Sequence, residues 1–141
     1  MRRMVLLVTV LTLGMLLACQ SGSAIGIRKS CSRQKTLESD TGRCEGGWKK
    51  LSGSTTLEIE NEDIWSFDQI PVNMQISVES GVVQVSCGQQ SGEKMTVQAR
   101  PGQPGVLATT CEAESEELDI AVETLDGEAT GIEFIIEYEI P

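Results

Sequence analysis

Histidine is absent from the 141-residue sequence, and this absence narrows the chemistry open to the chain. Without an imidazole there is no Ser-His-Asp or Cys-His arrangement, and the commonest metal ligand is also missing. The sequence contains no C-x-x-C motif either, which argues against a zinc site or a thioredoxin-like redox centre. The sequence therefore predicts no metal centre and no cofactor.

Aromatic residues are scarce, at 4% of the sequence. Two carboxylates would suffice to hydrolyse a glycosidic bond, but so few rings leave little to line a sugar cleft, and we expect no enzyme. Trp65 and Phe67 would share one face of a strand, where they form either a stacking platform for a glycan or core anchors. Trp48 follows two glycines and is a third candidate for ligand binding, unless it packs on the sheet.

Basic residues are rare in the larger part of the chain. In residues 58–141 only Lys94 and Arg100 oppose eighteen carboxylates, and so acidic a surface repels nucleic acid. Residues 19–57 have the opposite bias, with seven basic side chains against three acidic ones. This basic segment contacts anionic lipid headgroups, packs against the acidic body or is merely solvated.

The carboxylates gather in two clusters. The first comprises Glu58, Glu60, Glu62 and Asp63, and the second comprises Glu112, Glu114, Glu116, Glu117 and Asp119. Carboxylate oxygens suit Ca²⁺, but neither cluster has the spacing of an EF-hand loop. We interpret both clusters as solvated acidic faces and keep a calcium site as the alternative.

The first eighteen residues have the pattern of an export signal. Arg2 and Arg3 precede residues 4–18, which carry no charge. Fifteen uncharged residues match the hydrophobic region of a signal peptide and are too few to span a bilayer as a helix. We therefore expect residues 1–18 to be a targeting segment.

The targeting segment ends in Leu16-Leu17-Ala18-Cys19, which resembles the lipobox of bacterial lipoproteins. The resemblance implies removal of residues 1–18 and a diacylglycerol on the Cys19 sulfur. It also implies a protein held on a membrane by lipid, facing the periplasm or the cell exterior. The alternative is an ordinary secretory signal cut near Ser23-Ala24.

Four cysteines remain once Cys19 is set aside, and an even number is typical of disulfides. Three pairings are possible. We favour Cys31–Cys44 with Cys87–Cys111, because each bond closes a short loop within one region. Disulfides imply an oxidising compartment, in agreement with export.

Alternation of apolar and polar residues predicts β-strands after residue 54. In "GIEFIIEYEI", Ile132, Phe134, Ile136 and Tyr138 share one face, and Ile135 is the one apolar residue on the other. Shorter runs such as "TTLEIE", "VNMQISV" and "VVQVSC" are separated by turns rich in glycine and proline. Seven or eight such strands predict an all-β domain, an antiparallel β-sandwich or jelly-roll-like fold.

The segment "ELDIAVETL" fits either a strand or one face of a helix. Ile120 falls off that helical face, and β-branched residues favour a strand. Asp126-Gly127 then predicts a hairpin turn into the last strand. Two strands so joined resemble the closing hairpin of CUB-type sandwiches.

The sequence thus divides into a signal peptide (1–18), a lipidated cysteine with a flexible tether (19–30), a basic disulfide-containing segment (31–54) and a β-sandwich domain (55–141). We expect a membrane-anchored lipoprotein of the cell envelope with a non-catalytic role, structural or in binding a protein partner. The alternative is a β-sandwich module that binds a glycan or Ca²⁺.

Overall fold

The computed structural model describes residues 22–141 except Phe67 and Gln90. The predicted signal peptide, the lipidation site Cys19 and the ligand-binding candidate Phe67 lie outside the described residues. The described residues form eight strands: β1 Ser23–Ile25, β2 Arg28–Lys35, β3 Asp40–Glu60, β4 Gln69–Ser77, β5 Val83–Gly88, β6 Lys94–Ala99, β7 Gly105–Glu112 and β8 Glu117–Glu139. The part of the chain so described contains no helix long and apolar enough to cross a membrane.

All strand pairs are antiparallel, and the two long strands β3 and β8 belong to both layers of the sandwich. Their register shifts between Ser52 and Ser54, where Gly53 has a φ of 82° and Gly127 on β8 has a φ of 92°. Glycine adopts such positive φ values without steric cost, and the irregularity bends both strands. The all-β antiparallel sandwich predicted from alternation is confirmed.

The first sheet contains the halves of β3 and β8 that pair before the shift. Its order is β1 and β2 on one edge, then residues 40–52 of β3, residues 128–139 of β8, β4 and β7. The second sheet places residues 54–60 of β3 beside residues 117–123 of β8, followed by β5 and β6.

The core lies between the inner faces of the two sheets and forms one contiguous cluster. The first sheet contributes Ile132, Phe134 and Ile136 from β8, and the second contributes Val85 and Ile120. Full burial of an aliphatic side chain of this size contributes about 1.5–3 kcal/mol. The period-2 pattern therefore selects which face of each strand is buried.

The predicted hairpin at Asp126-Gly127 is wrong. Residues on both sides of it pair with β3, for example Val122 with Thr55 and Ile132 with Trp48. The chain continues in one direction through a bulge at Gly127, because β3 is long enough to pair with both halves. The resemblance to a CUB closing hairpin ends with this correction.

The segment from Cys31 to Cys44, read from sequence as a polar loop, is instead a β-hairpin. Cys31 lies directly opposite Cys44, and the Thr36 amide donates a hydrogen bond of 2.7 Å to the Ser39 carbonyl in the turn. Strand β2 was not predicted because all eight of its residues are exposed, so its sequence has no alternation of apolar and polar residues. Part of the predicted flexible tether (19–30) is a strand as well: residues 23–25 form β1, which pairs with β3.

Candidate binding surface

Both disulfides of the favoured pairing are present. Cys31–Cys44 joins neighbouring strands of the β2–β3 hairpin, and Cys87–Cys111 joins β5 of the second sheet to β7 of the first. The two bonds are compatible with an extracytoplasmic location.

The basic segment is paired with acidic side chains of this same domain. Arg33 forms ion pairs with Asp40 and Asp63, and Lys35 Nζ lies 3.2 Å from Asp63. Hydrogen bonds from Arg33 hold the pKa values of both carboxyls below their usual range. Of the three arrangements considered for this segment, packing against the acidic body is present at Asp63.

Two further ion pairs lie on the outer face of the first sheet. Arg43 Nη1 lies 2.6 Å from Glu137 Oε1, and Arg28 Nη2 lies 3.6 Å from Glu133 Oε1. The first pair connects β8 to β3, and the second connects β8 to β2.

Trp48 is not available to a ligand. Its ring is buried and lies 5.3 Å from the Phe134 ring, centroid to centroid. The preceding glycines do not form an exposed loop: a Cβ at Gly47 would meet the Ile132 carbonyl oxygen at 2.0 Å. The glycines let the backbones approach closely, and the Trp48 ring turns into the core, so the ligand-binding prediction for Trp48 is wrong.

Trp65 is 71% exposed, in the loop between β3 and β4. Its amide donates a hydrogen bond of 2.8 Å to Asp68 Oδ2, which fixes the loop backbone. Among the described residues Trp65 is the one exposed aromatic side chain. A stacking platform of two rings is not established by these residues.

The outer face of the first sheet carries two grooves that follow each other along the strands, of about 850 Å³ and 700 Å³. We term them together the outer trough. Its lining includes Ile27, Glu45, Gln75, Pro104, Glu133 and Ile135 in the larger groove, and Arg43, Asn73, Ala108, Glu137 and Glu139 in the smaller.

A row of side chains crosses the first sheet, and all but its last member line the larger groove. In register it comprises Ser30, Glu45, Ile135, Gln75 and Val106, one from each of five strands. Ile135 and Val106 are exposed, at 36% and 49%. The Gln75 amide makes no side-chain hydrogen bond to any described residue. The row thus offers a solvent-facing aliphatic surface with a free polar group.

The sequence signal for this surface was the break in alternation at Ile135. Ile135 lies between glutamates on the solvent face of the last strand. A side chain that contacts only water at such a position is usually polar. Its partners in the row come from strands far apart in sequence, so the pattern of one strand did not reveal them.

Four carboxylates meet on the outer face of the second sheet. Glu58 lies opposite Asp119, and Glu60 lies opposite Glu117. We term these four the acidic quartet. A hydrogen bond between Glu117 and Asp119, together with burial and neighbouring carboxylates, raises the pKa of Glu117 to about 7. A shared proton thus relieves part of the repulsion between like charges.

No metal-holding arrangement is present around the acidic quartet in the described part of the chain. Asp119 Oδ1 is buried and has no hydrogen-bond partner, yet the described residues include no group of three or more carboxylates or cysteines placed to hold an ion. The raised pKa of Glu117 is consistent with proton sharing, and calcium binding stays an alternative prediction.

No protein family and no curated protein matches the chain. Among solved structures, pumpkin seed globulin is 13% identical with a TM-score of 0.41, over 82% of this chain and 27% of that one. Oxalate decarboxylase from Bacillus subtilis is 10% identical with a TM-score of 0.40, over 83% and 26% respectively. The chain spans about a quarter of either structure. Similarity at this level indicates no shared activity or ligand.

Proposed function

We propose that this protein is a lipid-anchored, non-catalytic binding protein of the cell envelope, and that its outer trough holds a segment of a protein partner. The observation that carries the proposal is Ile135, an aliphatic side chain on the solvent face of β8, on the floor of the larger groove. Exposed apolar groups in a concave, polar-rimmed site are typical of binding surfaces.

The lining of the trough favours a protein over a glycan. Sugars stack on flat exposed rings, whereas Phe134 and Tyr138, the aromatic residues that line the trough, are buried. The exposed apolar part of the trough is aliphatic, formed by Ile27 and Ile135 in the larger groove. The ion pairs Arg28–Glu133 and Arg43–Glu137 lie in the lining of the two grooves. An extended peptide with one apolar side chain and polar neighbours matches this arrangement.

Photo-crosslinking in the native host tests the binding site. A photoreactive residue at Gln75, in the trough, is compared with one at Thr96, exposed on the outer face of the second sheet. We expect one discrete protein adduct at position 75 that is lost when Ile135→Glu is added. Adducts of the same kind at both positions, or an adduct at position 75 that survives Ile135→Glu, would contradict the proposed site.

The anchor is tested separately. Cells fed radioactive palmitate are expected to label the wild-type chain and not the Cys19→Ser variant. An unlabelled wild type would remove the lipid from the proposal. Retention of the purified domain on a glycan array, or a large rise in Tm with millimolar calcium, would favour the alternative module.

A further inference from the structure

The proposed lipid and the sheet are separated by very little chain. β1 begins at Ser23, four residues after Cys19, and is fixed by pairing with β3. Four fully extended residues span at most about 14 Å. If Cys19 carries the proposed lipid, the β1 end of the first sheet cannot move further than this from the lipid headgroups.

Exposed aliphatic side chains lie at this end of the sheet. Ile25 on β1 is 55% exposed, and Ile27, just after it, is 63% exposed. Gly26 between them packs closely against the Lys49 side chain, since a Cβ at Gly26 would meet Lys49 Cγ at 2.6 Å. Two isoleucines on either side of a lysine stem resemble surfaces that partition into the headgroup region of a bilayer.

The charges of the domain also favour an orientation with the β1 end of the first sheet towards the bilayer. Lys50, opposite Ile25, is paired with Glu128 at 3.1 Å, whereas Lys49 makes no ion pair with any described carboxylate and keeps its charge for the headgroups. Residues 58–141 carry eighteen carboxylates against two cations, so anionic headgroups repel the remaining surface. Attraction between Lys49 and anionic headgroups thus favours an orientation with the β1 end of the first sheet towards the bilayer.

We propose that Ile25, Ile27 and Lys49 form a bilayer-contact surface that rests on the headgroups of the membrane that holds the Cys19 lipid. This inference rests on the proposed anchor. Ile27 also lines the larger groove of the outer trough, so this end of the trough lies nearest the membrane. A partner that occupies the trough therefore presents a membrane-proximal segment.

In the test, a chemically coupled phospholipid takes the place of the cellular lipid on Cys19. Residues 19–141 are purified with both disulfides intact, so that Cys19 is the free thiol, and are coupled to a maleimide phospholipid in vesicles of phosphatidylcholine and phosphatidylglycerol. The photoreactive residue p-benzoylphenylalanine replaces Ile27 in one sample and Leu37 in another. Leu37 is the matched control, an exposed aliphatic residue in the β2–β3 turn at the far end of the same hairpin.

We expect phospholipid adducts, measured by mass, at position 27 in several-fold excess over position 37. Equal yields at the two positions, a larger yield at position 37, or no lipid adduct at position 27 would overturn the bilayer-contact surface. Tm measurements on both samples confirm that each is folded. Because coupling replaces cellular lipidation, this result is independent of palmitate labelling, which tests the anchor itself.

Discussion

Single residues set how closely the strands of the first sheet approach one another. Gly47 leaves room for the Ile132 carbonyl, and Trp48 beside it turns inward onto Phe134. A glycine pair followed by tryptophan looks like an exposed loop in the sequence. In the fold it is a close contact between backbones, and the ring becomes part of the core.

Gly47→Ala is expected to destabilise the protein by about 1–3 kcal/mol, because the added methyl group would overlap backbone rather than a movable side chain. Gly88→Ala is the matched control: it also lies in a strand, and nothing lies within 4 Å of the added Cβ. Urea unfolding measures both. Equal free energies of unfolding for the two variants would contradict the close approach at Gly47.

At the scale of elements, β3 and β8 place carboxylates directly opposite one another in the second sheet. Such cross-strand pairs of like charge destabilise a sheet unless a proton is shared. The hydrogen bond that protonated Glu117 donates to Asp119, together with the proximity of Glu58 and Glu60, raises the pKa of Glu117 to about 7. The stability of this part of the fold therefore depends on pH.

Glu117→Gln should raise Tm by a few degrees at pH 8 and change it little at pH 4. The pKa of Glu117 is about 7 in the folded state against a usual value of 4.5, so the folded state binds more protons between these values. Stability from this group is complete below about pH 4.5 and is lost as pH rises through about 7. Thermal melts across this range measure the effect.

The control for Glu117→Gln is Glu38→Gln, which removes the same charge from the exposed β2–β3 turn. Asp40 and Asp63 act in the opposite sense, because Arg33 lowers their pKa values, and their contribution is lost as pH falls. Comparing each variant with the parent at the same pH cancels that contribution. A Tm gain for Glu117→Gln that is as large at pH 4 as at pH 8 would contradict the shared proton.

At the scale of the whole molecule, the two sheets share β3 and β8 at one side and are joined elsewhere by Cys87–Cys111. This disulfide links β5 to β7, strands that are not paired with each other by backbone hydrogen bonds. Both of its cysteines are buried. It therefore fixes how the second sheet lies on the first.

The double variant Cys87→Ala, Cys111→Ala is expected to lose about 3 kcal/mol of stability, from loop-closure entropy over a sequence separation of 24 residues. Cys31→Ala, Cys44→Ala is the comparison, since it opens a hairpin whose strands stay paired in the first sheet. Urea unfolding under oxidising conditions measures both. A greater loss for the hairpin variant would contradict the role assigned to Cys87–Cys111.

The alternation of apolar and polar residues was sufficient to predict which face of most strands is buried. The alternation that ends in Ile132, Phe134, Ile136 and Tyr138 placed each of them in the core, because the side-chain period of a strand and the water-excluding interior act residue by residue. The cysteine pairing also followed from short loops. Ile135 was visible in the sequence as an exception, although what it faces was not.

Tertiary pairing alone decided the remaining features. The exposed strand β2 has no apolar face to mark it, and it is a strand because β3 supplies its hydrogen bonds. Asp126-Gly127 is a bulge rather than a turn, because β3 pairs with β8 on both sides. The outer trough combines the β2–β3 hairpin with three strands distant from it in sequence, and such long-range contacts leave no trace in the periodicity of any one strand.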